Sequence, residues 1–358
     1  MRSGRAVLRR RSVGLLILTA SLIQAQPSAE DRPPPGPRDV RVSFVDVGQG
    51  DAIWIQIPSG TGQQPKNILI DGGPDRGKKN RLITYLNTYG LHGGDLIDVL
   101  IVTHPHDDHY PGLLDVLAQY QVRTIIDSGY PKPGKYQEFL RAARAETVNG
   151  RPSTLINLRN TPDLKLDWGP AVNARILHTD AAKGPPMGTG NTRENNASTV
   201  VRLEVGHTSF LLMGDAEGKE RSNPATTCKF VEKLLLDKFT SRDLHATVLK
   251  AGHHGSETGS TLPFLKAVHP DVVVVMSGRK AFNGTFIPDE AVLRRYQKEN
   301  DKVRIFRTDD QDEAEGHTTK DDADGDDIYM LTDGKTLRVY QALGQDFKRT
   351  WRRVAIIQ

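Results

Sequence analysis

The chain has 358 residues, 37% of them hydrophobic and 26% charged, which excludes a collagen-like or wholly disordered protein and allows a sizeable core. The formal net charge is +4, but residues 1–25 hold five arginines and no acid. The remainder has 43 basic residues (48 less 5) against 44 acidic ones, or −1, so the overall basicity does not indicate nucleic-acid binding. The single cysteine, Cys228, cannot form an internal disulfide, so the core alone must stabilise the fold.

The N-terminus predicts an export signal. The basic stretch "MRSGRAVLRRR" precedes "SVGLLILTASLIQA", an apolar run shorter than the roughly 20 residues of a membrane-spanning helix. We interpret residues 1–25 as a signal peptide cleaved after Ala25, with an uncleaved N-terminal anchor as the alternative. Residues 26–39 are rich in proline and predict an extended linker before a folded domain over residues 40–358. The expected location is therefore secreted or periplasmic, with no integral membrane domain after the signal peptide.

The first half of the domain alternates predicted strands and helices. Strands are predicted over "VRVSFVDVG", "DAIWIQIP", "NILIDGG", "LIDVLIVTH" and "VRTIIDSG", because apolar runs there end in turn residues. A helix is predicted over "RLITYLNTYG", which ends at Gly90. Another is predicted over "PGLLDVLAQY", which begins at Pro111.

The second half repeats this plan. The stretches "STVVRLEVG" and "TSFLLMGD" predict a hairpin, and "TCKFVEKLLLDKF" predicts an amphipathic helix. Strands are predicted over "ATVLKAG" and "PDVVVVMSG", and a hairpin over "IYMLTDGKTLRVYQ" on its Asp-Gly turn. Residues 308–327 are strongly acidic and predict a solvated loop, because the spacing of a calcium-binding EF-hand is not met.

The stretch "IVTHPHDDHY", residues 101–110, places ionisable side chains directly behind a strand that must be buried. His104, His106, Asp108 and His109 form an H-x-H-x-D-H pattern. Two neutral imidazoles can bind one divalent ion, and a carboxylate with a third imidazole can begin a second site. Three histidines and an aspartate within six residues have few structural explanations, so the pattern predicts a metal centre.

Two later strand ends supply further candidate ligands. Asp215, in "MGDAE", is either a carboxylate that bridges two ions or the N-cap of a helix. His253 and His254, in "GHHGS", predict one metal ligand and one residue that contacts substrate or supports the site, with Ser256 close by.

In this order, H-x-H-x-D-H, G-D and H-H-G-S resemble the metallo-β-lactamase superfamily. More narrowly, "FVDVGQGDAIWI", "NILIDGG", "VTHPHDDHYPG", "NNASTVVRLEVGHTSFLLMGD" and "LKAGHHGS" are similar to the ComEC-type branch. That branch includes the hydrolase domain of DNA-uptake competence channels and free-standing secreted relatives, and it is similar to extracellular phosphocholine esterases. The resemblance covers residues 40 to about 290. Without a membrane segment after residue 25, it implies a free-standing secreted relative.

The resemblance implies an α/β fold, a four-layer αββα sandwich with metal ions at one edge of its two sheets. It implies two divalent ions, with zinc as the default and manganese or iron as alternatives. The implied ligands are His104 and His106 for the first ion, Asp108, His109 and one of His253 and His254 for the second, and Asp215 between them.

Other residues are expected to support the ions or contact substrate. Asp71, in "LIDGG", matches the acid that orients the metal loop in this family. The remaining candidates are Asp46, Gln49, Asp51, Asn196, Ser198 and Ser256.

The chain departs from the family pattern at two places. Many members have a further histidine upstream of the bridging aspartate, where this chain has Asn196 and Ser198. The first ion is therefore expected to be short of a ligand and more weakly bound. The branch often ends its core with Gly-His-Pro, where this chain has Ile287 before Pro288, which puts a substrate or metal contact in doubt.

The expected reaction is hydrolysis by a hydroxide that bridges the two ions. The expected substrates are small or polymeric phosphodiesters, either nucleic acid or phosphocholine-type esters. Asp108 or the non-ligating member of the histidine pair is expected to carry the proton, with Asp108 and His254 as the catalytic candidates. The alternatives are a lactone or β-lactam hydrolase, against which the missing histidine argues, and a non-catalytic metal-binding accessory module, against which the intact ligand set argues.

Overall fold

The computed structural model describes residues 32–60, 62–179, 187–278, 281–282, 285–309, 326–343 and 350–358. The predicted signal peptide, the start of the predicted linker and most of the acidic segment lie outside these ranges. Residues 32–39 form neither helix nor strand. None of the helices in the described ranges combines the length and the apolar character needed to cross a bilayer.

Two large sheets form the centre of the fold. In spatial order, the described strands of the first sheet are β20 (Thr350–Ile357), β19 (Leu337–Leu343), β18 (Ile328–Thr332), β1 (Val40–Phe44), β2 (Ile53–Ile57), β3 (Lys66–Ile70), β4 (Leu96–Val102), β5 (Gln121–Asp127) and β8 (Thr154–Asn157). Those of the second sheet are β17 (Arg304–Arg307), β14 (Val272–Val275), β13 (Val248–Lys250), β12 (Thr208–Leu212), β11 (Val200–Val205), β10 (Asn173–His178) and β9 (Lys165–Leu166). Two short hairpins pair β6 (Thr147–Val148) with β7 (Arg151–Pro152) and β15 (Ala281–Phe282) with β16 (Thr285–Phe286).

Helices connect these strands. The α-helices of the described ranges are α1 (Arg81–Thr88), α2 (Pro111–Gln119), α3 (Tyr136–Ala145), α4 (Gly190–Asn195), α5 (Phe230–Lys238), α6 (Ser241–Leu244), α7 (Leu262–Val268) and α8 (Glu290–Glu299). Short 3₁₀ turns lie at Gly77–Lys79 and Gly252–Gly255.

Alternation along the strands builds the layers. Side chains two apart point to the same face of a strand, so Ile53 and Ile55 of β2 face the second sheet, where they join a core that includes Leu203 and Phe210. Trp54 lies between them in sequence and faces the other way, toward Tyr85 of α1, with 6.3 Å between ring centroids. Burying a whole aliphatic side chain, such as that of Ile55 or Leu203, contributes roughly 1.5–3 kcal/mol of transfer free energy.

Helices cover both outer faces. Leu82 of α1, Leu113 of α2 and Phe139 of α3 pack on the outer face of the first sheet. On the second sheet, α5, α7 and α8 contribute Leu235, Phe264 and other apolar residues to a third buried cluster. The layer order is helix, sheet, sheet, helix, so the predicted α/β sandwich is confirmed.

Strand direction places the site. β3, β4 and β5 run parallel in the first sheet, and β12, β13 and β14 run parallel in the second. The carboxyl ends of parallel strands meet at one edge, where open α/β sheets bind ligands. Asp71 follows β3, His104 follows β4, Asp215 follows β12 and His254 follows β13. Residues far apart in sequence therefore meet at this edge.

The elements predicted from the sequence are present, including the hairpins β11–β12 and β18–β19. From the sequence we did not predict the helices α3, α4, α6, α7 and α8, the strands β8, β9, β10, β17 and β20, or the two short hairpins.

Candidate metal centre

The loop after β4 is held by the segment that precedes β2. Asp51 N donates to Asp108 O at 3.3 Å. Gly50 has φ +149°, and a Cβ there would lie 2.2 Å from Asp108 O, so only glycine allows this close approach. The loop gathers its imidazoles: the ring of His104 lies 4.7 Å from that of His106 and 4.2 Å from that of His109, between centroids.

The first ligand group consists of His104, His106 and Asp215, whose ligand atoms all lie within 4.8 Å of one another. His104 Nε2 is 3.1 Å from His106 Nδ1 and 3.7 Å from Asp215 Oδ2. His104 is fully buried, and the side chain of His106 is 19% exposed. This group therefore reaches from the interior to the surface of the site.

The second ligand group consists of Asp108, His109, Asp215 and His254, again within 4.8 Å. His254 Nε2 lies 3.2 Å from Asp215 Oδ2 and 3.3 Å from Asp108 Oδ2. His109 Nε2 lies 3.4 Å from Asp215 Oδ1 and 3.7 Å from Asp108 Oδ1. Asp215 belongs to both groups, as its predicted bridging position requires.

Three atoms of the second ligand group have no hydrogen-bond partner among the described residues. They are Nε2 of His109, Nε2 of His254 and Oδ1 of Asp215, and all three are buried. A buried polar atom without a partner costs about 1–3 kcal/mol, so such atoms are rare unless a ligand satisfies them. Imidazole nitrogens and carboxylate oxygens at this spacing fit divalent metal ions.

Asp71 orients His109. Asp71 accepts from Thr103 N at 2.8 Å and from Thr103 Oγ1 at 2.6 Å, which fixes its carboxylate. Its Oδ2 lies 2.8 Å from His109 Nδ1, so Nε2 of His109 faces the ligand group. This contact is the one that the resemblance implied for Asp71.

The other imidazoles are oriented in the same way. His254 Nδ1 lies 2.8 Å from Met276 O and donates to it, which leaves Nε2 for the ligand group. His106 Nε2 lies 2.9 Å from Glu194 Oε2, which leaves Nδ1 facing His104. The sequence analysis missed Glu194.

The electrostatics differ between the imidazoles. Burial alone would lower the pKa of His109 and of His254, but the facing carboxylates, Asp215 first among them, hold each pKa well above its ordinary value. Burial, with the neighbouring His109, lowers the pKa of His104 well below its ordinary value. The centre of the second ligand group is therefore a place of negative potential that favours a cation.

Lys250 is a second residue that the sequence analysis missed. It ends β13 and is fully buried, with Nζ 2.5 Å from Asp51 Oδ2 and 3.9 Å from Asp215 Oδ1. Its Nζ also donates to Gly214 O at 2.9 Å. Asp51 thereby connects this ammonium to His254, whose Nδ1 lies 3.4 Å from Asp51 Oδ1. Its position at the end of an apolar strand could have indicated from the sequence that Lys250 is buried near the site.

The two histidines of the pair, of which one was expected to be a ligand, lie in different surroundings. The structure brings His254 into the second ligand group and places His253 in neither group. His253 Nδ1 lies 3.0 Å from Glu217 Oε1 and 2.9 Å from Thr258 Oγ1, and its side chain is 26% exposed. His254 is fully buried, so it is also badly placed for the proton-transfer role predicted for it. The two rings diverge because both residues have left-handed backbones, with φ 45° and 52°.

Two of the predicted supporting residues shape the loop before β2. Asp46 Oδ1 accepts from Gly48 N at 2.9 Å, and Asp46 N donates to Asp327 Oδ1 at 2.8 Å, away from both ligand groups. Gln49 Oε1 accepts from Ser277 Oγ at 3.3 Å, and Gln49 lines the cleft above the site.

The residues at the missing-histidine position are structural neighbours of the ligands. Ser198 Oγ accepts from Asp215 N at 2.9 Å and lies 3.3 Å from His104 Nδ1. Asn196 Oδ1 accepts from Glu217 N at 2.9 Å. Neither adds a member to the first ligand group, which has one ligand fewer than the second.

The remaining positions lie at the cleft. Ser256 Oγ accepts from Arg221 Nη2 at 3.1 Å. Ile287 lines the cleft where the family pattern has histidine, and it brings an apolar side chain to that position. The alternative role of Asp215 as a helix N-cap is wrong, since no helix begins there and the next described helix starts at Phe230.

A cleft of about 1280 Å³ opens above both ligand groups. Its floor includes His106, Asp108, Asp215 and His254. The described lysines and arginines that line it are Arg76, Lys132, Lys135 and Arg221. Three of these cations pair with acids, namely Arg76 with Glu138, Lys132 with Glu194 and Arg221 with Asp289.

A family model described as the Metallo-beta-lactamase superfamily matches residues 45–279. The chain therefore belongs to the metallo-beta-lactamase superfamily, and the family predicted from the motifs is confirmed.

Curated relatives match most of the chain. It is 27% identical over 284 residues to ComE operon protein 3 of Bacillus subtilis (strain 168), covering 75% of this chain and 32% of that protein. It is 24% identical over 303 residues to Competence protein ComA of Neisseria gonorrhoeae, covering 84% and 35%. The chain thus spans about a third of the length of these relatives.

Solved structures of the same fold are more distant. YhfI from Bacillus subtilis, a metallo-beta-lactamase fold protein, is 12% identical with a TM-score of 0.43, covering 74% of this chain and 96% of that one. Zn(2+)-bound PqqB from Methylobacterium extorquens is 14% identical with a TM-score of 0.41, covering 75% and 97%. These likenesses are too weak to carry a functional argument.

Proposed function

We propose that this chain is a metal-dependent hydrolase that acts on phosphodiester bonds, in nucleic acid or in phosphocholine-type esters. The observation that carries the proposal is the set of unpartnered buried atoms, Nε2 of His109 and His254 and Oδ1 of Asp215. His254 and Asp215 line a large cleft. Such a set next to an open cleft suits a catalytic centre better than a structural one.

The two ligand groups would hold two divalent ions with Asp215 between them. Mixed imidazole and carboxylate ligands suit zinc, and manganese or iron is the alternative. A bound pair of such ions supplies a hydroxide nucleophile at neutral pH and polarises the phosphoryl oxygen. The buried ammonium of Lys250, 2.5 Å from Asp51, offsets part of the carboxylate charge that would otherwise crowd this centre.

Two residues are candidates for moving a proton. Burial would raise the pKa of Asp108, but His109 and His254 lower it below its usual range, so Asp108 stays ionised and suits ligation better than proton donation. His253, exposed to the cleft and held by Glu217 at 3.0 Å, is better placed to pass a proton to the leaving group. We therefore assign proton transfer to His253.

We place the phosphate oxygens of the substrate near the cations that line the cleft. Arg76, Lys132 and Arg221 would exchange an acid partner for a phosphate oxygen. Lys135 has no acid partner among the described ion pairs of the cleft. The relative named Competence protein ComA favours testing nucleic acid first. Ser198 at the position of the missing imidazole gives a lactone or β-lactam hydrolase less support, and the complete second ligand group gives an accessory module less support.

The test is hydrolysis by protein that is stripped with a chelator and reloaded with zinc, manganese or iron. Linear DNA, RNA, p-nitrophenylphosphocholine, bis(p-nitrophenyl) phosphate, a lactone and a chromogenic β-lactam form the substrate set. We expect the phosphodiesters to be cleaved by reloaded protein only. Cleavage restricted to the lactone or β-lactam, or full metal binding without any cleavage, would contradict the proposal.

We also propose that the protein acts outside the cytoplasm, because of the basic and apolar pattern of residues 1–25. Expressed in a host with an intact export pathway, the protein should accumulate outside the cytoplasm and begin after Ala25. N-terminal sequencing that finds Met1 retained on exported or cytoplasmic protein would contradict cleavage.

A further inference from the structure

A pair of buried acceptor atoms lies beside the candidate metal centre. Glu217 Oε2 and Asn195 Oδ1 are buried, and neither has a hydrogen-bond partner among the described residues. Glu217 is 1% exposed and Asn195 is 2% exposed, yet both residues line the cleft. Because an unpaired buried acceptor destabilises the fold, each of these atoms lacks a hydrogen-bond donor that a bound molecule could supply.

Neighbouring contacts hold both side chains in one orientation. Asn195 Nδ2 donates to Glu217 Oε1 at 2.7 Å, so the amide nitrogen faces the carboxylate and Asn195 Oδ1 points elsewhere. Glu217 Oε1 also lies 3.0 Å from His253 Nδ1, and Glu217 N donates to Asn196 Oδ1 at 2.9 Å. The two unpaired atoms, Glu217 Oε2 and Asn195 Oδ1, can therefore only accept hydrogen bonds. Rotating the Asn195 amide would place its oxygen against Glu217 Oε1, which is also an acceptor.

The pair is distinct from the metal centre. Glu217 belongs to none of the groups of three or more candidate metal-ligating side chains in the described ranges. One carboxylate and one amide oxygen make a poor ion site, but they match a hydroxyl or ammonium group. Glu217 and Asn195 line the same cleft as Asp215 and His254, so one substrate in this cleft can reach both the pair and the ligand groups.

We propose that Glu217 Oε2 and Asn195 Oδ1 form a subsite for a hydrogen-bond donor, a hydroxyl or ammonium group, on the alcohol part of the substrate. This rests on the proposed phosphodiesterase function and narrows its substrates. Both acceptors are already desolvated and unpaired, so a substrate that carries the donor gains hydrogen bonds that an analogue without it cannot make.

The experiment compares three p-nitrophenyl phosphodiesters on zinc-reloaded protein, with ω-hydroxybutyl, ω-aminobutyl or plain butyl as the second alcohol. We expect kcat/KM for one of the first two to exceed that for the butyl ester by about tenfold or more. Whichever of these two esters has the higher kcat/KM shows whether the subsite recognises a hydroxyl or an ammonium group. Because p-nitrophenolate leaves without needing a proton, changes in proton transfer by His253 affect all three esters alike.

Matched variants test whether Glu217 and Asn195 cause the preference for a donor-bearing ester. Glu217→Gln places an amide nitrogen where Oε2 was and turns the free acceptor into a donor, so the preference should fall to about twofold or less. Asn195→Leu should reduce it as well. Glu220→Gln, on the same segment but exposed, should keep it. Equal kcat/KM for all three esters in the parent protein, or a preference that survives in Glu217→Gln, would overturn the subsite.

A binding measurement separates this inference from the proposed function. If reloaded protein cleaves none of the esters, the phosphodiesterase proposal fails. Calorimetric titration with butyl and ω-hydroxybutyl or ω-aminobutyl methylphosphonate then decides the subsite without any cleavage. Tighter binding of a donor-bearing ligand, lost in Glu217→Gln, supports the subsite, and equal affinities overturn it.

Discussion

The two ligand groups of the candidate metal centre share Asp215 and differ in the rest. The first group adds two imidazoles to it, whereas the second adds two imidazoles and a second carboxylate. His106 of the first group is 19% exposed, while His109 and His254 of the second are fully buried. Burial does not separate the groups, because the side chain of Asp108 in the second group is itself 25% exposed. The additional ligand of the second group indicates that it binds its ion more tightly.

Ser198 explains the asymmetry. Its hydroxyl lies 3.3 Å from His104 Nδ1 and accepts from Asp215 N at 2.9 Å, so it holds two ligands in place. An imidazole in the same region would instead add a third nitrogen to the first ion. Ser198 therefore holds His104 and Asp215 in position but adds no ligand of its own, so the first group has one ligand fewer than the second.

The largest effect is expected from Asp215→Asn, because both groups lose their shared charge. Metal content should fall at one site or both, and phosphodiester hydrolysis should drop on the order of a thousandfold, since attack depends on both ions. The fold should survive, because no helix depends on Asp215 as a cap. Elemental analysis, thermal unfolding and kinetics would check this, with the exposed Asp237→Asn as control. Normal metal content and activity would remove Asp215 from the centre.

The adjacent histidines provide the next test. His254→Gln should lose the tightly bound ion, because it removes a buried ligand of the second group. His253→Gln should keep both ions and lose activity mainly on substrates with poor leaving groups, where protonation matters. Elemental analysis of the two variants, made side by side, would measure this. Equal metal loss in both would contradict the division of roles between the pair.

A smaller change is expected from Glu194→Gln. It weakens the carboxylate contact that orients His106, 2.9 Å away, so affinity at the first group should fall by about tenfold with the second group unchanged. Glu138→Gln is the control, because this glutamate lines the cleft but pairs with Arg76 and not with a candidate ligand. Competition with a chromogenic chelator would measure both affinities. A shift in the tight site would show that Glu194 acts on the whole centre.

The smallest effect is a difference in proton release. The pKa of His109 and of His254 is raised, so both carry protons at neutral pH without metal, and an ion in the second group must displace them. The pKa of His104 and of His106 is lowered, so they are already neutral. Binding at the second group should release about two protons and strengthen as pH rises, while the first group releases almost none. Calorimetry in buffers of different ionisation enthalpy would count them.

Much of the fold was predictable because its central strands have strong patterns. The alternation in "DAIWIQIP" and the apolar run of β14 specify buried strands regardless of tertiary context. The outer strands β17 and β20 were missed because charged residues such as Arg304, Arg352 and Arg353 interrupt their apolar pattern. A strand with only one neighbour can expose such side chains, and the sequence pattern weakens accordingly.

The site divides in the same way. The H-x-H-x-D-H loop was predictable because its ligands are local in sequence. Which of His253 and His254 joins the ligand group depends on the left-handed backbone conformation of both residues. The sequence spacing does not reveal that conformation. Lys250, Glu194 and Glu217 were missed because their contacts arise only when the two sheets meet.

The measurement that tests the account most directly is a metal titration of the stripped protein, read by calorimetry and by competition with a chelator. We predict that each chain binds two ions with unequal affinities. His254→Gln should lose the tightly bound ion, and Glu194→Gln should lower the affinity for the weakly bound one. Two equal sites, a single site, or a tighter ion that survives His254→Gln would contradict it.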